Sequence, residues 1–181
     1  MHRSPTTIQI SCRPCGVTRL DRGAVVAAVI SASLGAASAA MSAYWALGGT
    51  ALIDTIGGEI ERWGRERSAD VVTTLWAITL AKLVAAVAPL VLVGEGAGRL
   101  PAWTRGRLMR ALGWIVAIGL TVYGGVLTFA GLLVEAGAID AADDADEHAI
   151  AWHTYFWDPW FVLWGIAFTV AMWGSRPQVS E

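Results

Sequence analysis

The sequence predicts an all-α integral membrane protein, a bundle of four transmembrane helices with both termini in the cytoplasm. Three observations carry that expectation. The 181-residue chain is 55% hydrophobic and only 15% charged, with a mean hydropathy of +0.53. An ordinary globular domain runs nearer a quarter charged, so this chain lacks the residues to cover a soluble surface. Four long stretches are almost free of charge, at about 24–47, 71–93, 108–134 and 158–174. The arginines cluster on alternate connections. A helix rises about 1.5 Å per residue, so roughly 20 residues cross a hydrocarbon core of about 30 Å. The first three stretches suffice with some tilt, and the fourth is short. The net charge of −2 leaves no basic stripe for phosphates and excludes a nucleic-acid partner.

Residues 1–22 read as a flexible basic cytoplasmic tail carrying Arg3, Arg13, Arg19 and Arg22. Cys12 and Cys15 are spaced like a redox or metal half-site, but nothing there marks the helix start that would activate a thiol. No metal site and no cofactor is expected. Residues 23–175 read as one transmembrane domain, and 176–181 as a second cytoplasmic tail.

The first helix presents two rows of small residues. Ala24, Ala28, Ala32, Ala36 and Ala40 form one, and Ala27, Ser31, Gly35, Ala39 and Ala43 the other. Such rows let helices approach closely in a membrane. A cleaved signal peptide is the rival reading, since small residues follow a basic stretch and an apolar run. The continuation through Tyr44-Trp45-Ala46-Leu47 is long for a signal core and favours retention.

The second helix carries the residue most out of place. Lys82 lies at the centre of 71–93 with no other charge within a turn. An ionisable group at mid-membrane costs a few kcal/mol on insertion scales and is a functional candidate by default. Side chains lean toward the helix N-terminus, so Lys82 should reach the outer half, where Asp158, Glu135, Asp54 and Glu59 could meet it. A snorkelling lysine with only a structural partner is the first expectation; of the other two, a pair with Asp158 is favoured over an exogenous anion.

The connection from 95 to 107 and its flank hold Arg99, Arg105, Arg107 and Arg110, and Arg176 follows the last helix. The excess of arginine at these places sets the orientation. The third helix has its own small row, Ala117, Thr121 and Gly125, with Gly124 and Gly131 nearby. The two outer loops are acidic. Asp143, Asp144, Asp146, Glu147, His148 and His153 match no zinc or calcium pattern and read as a solvated loop.

WHTYFWDPWFVLWG, residues 152–165, crowds four tryptophans around one aspartate and one proline. Asp158 reads as an N-cap and Pro159 as the first helical residue. Trp157, Trp160 and Trp164 share a face, and with Trp152 and Trp45 they read as an aromatic belt at the outer interface.

Three motifs, Tyr44-Trp45-Ala46-Leu47-Gly48-Gly49, Trp157-Asp158-Pro159-Trp160-Phe161 and Leu163-Trp164-Gly165, resemble a family of small bacterial membrane proteins catalogued as domain of unknown function 3995. The resemblance covers roughly residues 24–174. It implies a four-helix fold and no activity. Where that family often carries a histidine two residues before the Tyr-Trp pair, this chain has Ser42.

Two function classes follow. One is a non-enzymatic, multi-pass cell-membrane bundle that binds a lipid or small amphipathic molecule, or supports a partner membrane protein. Its partners would be membrane lipids, with another membrane protein or a second copy of the chain as further candidates. The other is a membrane-embedded enzyme or carrier with an outward-facing cavity around Lys82, His153 and Asp158. The absence of a phosphate loop, hydrolase elbow or zincin helix favours the first. Tyr44, Trp45, Tyr123, Trp157 and Trp160 complete the candidate ligand-binding set.

Overall fold

The computed structural model describes residues 22–94, 106–141 and 146–175, with the side chains of 59 and 60 excepted. Every regular element among them is helical. Cys12, Cys15, Arg99, Arg105, Asp143, Asp144 and Arg176 fall outside the described residues.

Helix α1 spans Arg22–Ala46, α3 spans Ala69–Val93 and α4 spans Arg107–Glu135. All three are long and apolar enough to cross a membrane. They mark the chain as a membrane protein. Two short helices lie outside the four apolar stretches: α2, Gly58–Glu66, and α5, Glu147–Trp152. α2 is amphipathic, and its polar face closes on itself through Arg65–Glu61 bonds of 3.0 and 2.8 Å. α6, Asp158–Gly174, has only 17 residues.

α6 does not begin where the Asp-Pro signal places it. Asp146 is the cap, its side chain accepting from the amides of His148 and Ala149 at 2.9 and 3.4 Å. From Glu147 the backbone stays helical through a π-helical turn at His153–Trp157 and into α6. Asp158 has helical dihedrals and is not the N-cap of α6; its amide donates to the His153 carbonyl and closes the π turn. Proline offers no N–H, and its ring crowds the carbonyl four residues back. The wider π turn just before Pro159 is the kind of adjustment that relieves such crowding.

The helices pack in the order α3–α1–α6–α4, with the widest contacts between α1 and α3, between α4 and α6, and between α1 and α6. α3 and α4, adjacent in sequence, touch sparingly. α6 is central and supplies the large buried side chains Trp164, Phe168 and Met172. The opposite faces of α1, α3 and α4 expose Ile30, Leu80, Val84, Ile115, Val122 and Phe129. Lipid tails cover such faces without penalty, so the interior can be built from small residues.

The seam on α1 follows Ala24, Ala28, Ser31, Gly35, Ala39, Ser42 and Ala46. It draws on both sequence rows and continues through Ser42 and Ala46, which belong to neither. A strict spacing of four drifts about 40° per step from one face of a 3.6-residue helix, which is why Ala36 and Ala40 are exposed. At Gly35 an added Cβ would lie 2.5 Å from Cζ2 of Trp164 and 2.7 Å from Cβ of Ala86. On α4 the close-contact glycines are Gly113, Gly124 and Gly131, not Gly125, which meets open space. Arg110 closes the lower end by donating to the carbonyls of Met172 and Ser175 at 3.3 and 3.2 Å, where a cation suits the last turn of α6.

Candidate functional site

The site residues named from the sequence gather toward one end of the bundle, the end holding Trp45, the start of α3 and the start of α6. α1 brings Tyr44 and Trp45 there because its apolar run ends in aromatics and then turns at Gly48, whose φ of 100° favours a residue without a side chain. The turn is stitched to the helix: the indole of Trp45 donates to the Ala51 carbonyl at 2.9 Å, and the Ala51 amide donates to the Tyr44 hydroxyl at 3.3 Å. Arg67, itself at φ 51°, reaches back to the Ala46 carbonyl at 3.4 Å.

The tryptophans of the α6 face look into the protein. Trp157 donates to the hydroxyl of Thr55 at 3.0 Å and meets Trp45 edge-on at 5.8 Å. Trp160 donates to the Leu34 carbonyl at 3.2 Å. Trp164, 1% exposed, lies against Gly35. Spacing of three and four places these indoles on one face, and that face is the one packed on α1. The Trp164 indole N–H and the Ser31 hydroxyl are buried without a hydrogen-bond partner among the described residues, a cost that close packing must offset.

Lys82 is held inside the bundle. Its Nζ donates to Ser42 Oγ at 2.9 Å and stands 5.7 Å from the centroid of Phe161. Phe161 in turn meets Tyr123 edge-on at 5.4 Å. The expected pair with Asp158 is not formed. Asp158, 3% exposed, faces His153, whose Nδ1 lies 3.4 Å from Oδ1. The π turn sets the two residues five apart, so one widened turn brings them together. The contact with Asp158 raises the His153 pKa above its ordinary value, partial burial opposes the rise, and the Ile56 backbone adds to it. Glu135 accepts from the Tyr155 hydroxyl. That bond also raises the Tyr155 pKa.

The sequence did not single out the space beside Trp45. A cleft of about 500 Å³ opens between the 47–57 turn, α2 and the first turns of α3. Trp45, Ile53, Trp63, Leu75 and Ile78 form its apolar walls, with Glu66, Ser68 and Asp70 at its polar margin. A pocket of this size, mostly apolar with few polar groups, has the usual character of a small-ligand site. The signal for it was the amphipathic pattern of α2, GEIERWGRE. A second cleft of about 670 Å³ separates α3 from α4 and is lined by Leu83, Val87, Leu92, Met109 and Leu112 among others. Neither cleft is lined by Lys82, His153 or Asp158.

No curated protein and no solved structure matches the chain. Residues 35–168 match the family described as "Protein of unknown function (DUF3995)", a stretch that begins at the glycine under Trp164 and holds the Tyr44-Trp45 turn, Lys82 and the His153–Asp158 pair. The chain therefore belongs to the DUF3995 family.

Proposed function

We propose that this is a non-enzymatic, four-span protein of the cell membrane, both termini cytoplasmic, that binds a lipid-like amphipathic molecule. The cleft beside Trp45 carries the reading. It lies where apolar helix gives way to polar turn, so an alkyl chain can lie along Leu75 and Ile78 while a head group stays at Glu66 and Asp70. Trp45 is fixed by its bond to Ala51 and its contact with Trp157, and a wall held in place lowers the ordering cost of binding. α6 is the fourth span in this reading, and the helical residues before it lie in the outer interface. Against an enzyme or carrier centred on Lys82, the amino group is engaged by Ser42 and Phe161.

Native mass spectrometry of the detergent-purified chain tests the proposal. The wild type is expected to retain an adduct of lipid or metabolite mass, and Thr74→Trp, which puts an indole into the cleft from an exposed position, is expected to lose it. Bare protein in the wild type, or an adduct indifferent to the plug, would overturn the reading.

A further inference from the structure

We infer that the amphipathic ligand of the Trp45 cleft carries a cationic, amine-type head; the inference rests on the binding reading above. The charges around the cleft decide it. Glu66 lies 3.8 Å from Arg62, so its charge is partly answered within α2. Asp70 lines the cleft, and among the described residues no basic group is within ion-pair distance of it. Arg67, the nearest arginine in sequence, turns its guanidinium to the Ala46 carbonyl and the Gly48 turn. The cleft thus has one carboxylate with no basic partner among the described residues, held by the Ser68 side chain and the first amides of α3, and no lining cation. It also has two indoles, Trp45 and Trp63, and an indole face attracts an ammonium group. An anionic head would face the carboxylates of Asp70 and Glu66 with no lining cation to hold it. A neutral head would leave Asp70 as it is.

Three photoreactive probes with one dodecyl chain, bearing a diazirine, and differing only in the head distinguish the possibilities. The heads are a primary ammonium, an alcohol and a carboxylate. The full chain in a maltoside detergent at neutral pH is irradiated with each, and labelled residues are mapped by mass spectrometry. The ammonium probe is expected to label α2 and the first turns of α3 about fivefold more than the alcohol, with the carboxylate lowest. Asp70→Asn should bring the ammonium probe down to the level of the alcohol. Thr74→Trp, or Ile78→Trp should the first plug fail to fold, should abolish labelling by all three. Equal labelling of the cleft by the three heads, removed by the plug, would overturn the cationic head and leave the binding reading standing. A preference for the carboxylate would do the same. Labelling that ignores both plugs would overturn the binding reading itself.

Discussion

Ser42 and Lys82 sit on different helices and meet through one 2.9 Å bond, about a turn before α1 ends. Lys82→Met keeps the side chain's bulk and removes its polar end from an apolar setting, so the melting temperature in detergent should hold or rise. Ser42→Ala instead strips the amino group of its oxygen partner and should cost about 1 kcal/mol. Because Lys82 and Asp158 have separate partners, the thermal shifts of Lys82→Met and Asp158→Asn should add; a double mutant that recovers part of the loss would show coupling. His153 makes a pH prediction. Its folded pKa lies above the ordinary 6.5, so its contribution to stability is complete below the unfolded value and fades as pH rises through the folded one. Melting curves across that range should fall with rising pH, and Asp158→Asn should flatten the decline. Lys82 was legible in the sequence because one charge stands out in an apolar run. Its partner was not, because that depends on how two helices are rotated about their axes, which hydropathy does not record.

At the level of elements, the three long helices were legible from apolar length alone, and α6 was the element most misread. Asp-Pro is a strong start signal, yet the stop it implies was overridden by helix already running from Asp146. A proline more than three turns into a continuing helix needs only a widened turn before it. The short α2 was missed because nine residues with arginines and glutamates look like loop until α3 and Trp45 supply something for its apolar side to face. Helix contact gives the sharpest test here. Gly35→Ala would place a methyl 2.5 Å from the Trp164 ring, and forcing α1 and α6 apart should cost about 1–3 kcal/mol. Ala36→Leu, one residue on but exposed, should change the melting temperature little. Equal losses would mean that the seam is placed wrongly.

Across the whole molecule, packing runs α3–α1–α6–α4, so the helix with the weakest claim to span by length is the one the others surround. That arrangement was hidden from the sequence, which orders segments along the chain and says nothing of which pairs meet. The proposed orientation is checked on a chain whose Cys12 and Cys15 are replaced by serine. Single cysteines at Asp54 and Ala141, both exposed, should react with a membrane-impermeant reagent in intact cells, and one at Gly98 only after lysis. Reaction at 98 in intact cells would reverse the topology.

A stripe of alanines and serines is nearly self-similar: slid along its axis by four residues, about 6 Å, α1 would offer α6 almost the same surface. Such a surface holds two helices together without saying where each must stop. Gly35 is the one position on the buried stripe where an indole can sink to the backbone, and Trp164 fills it, while Trp160 reads the Leu34 carbonyl beside it. The alanines therefore supply adhesion and the glycine supplies address. Exchanging the two letters, Gly35→Ala with Ala39→Gly, rewrites that address one turn along and leaves the composition of the stripe unchanged.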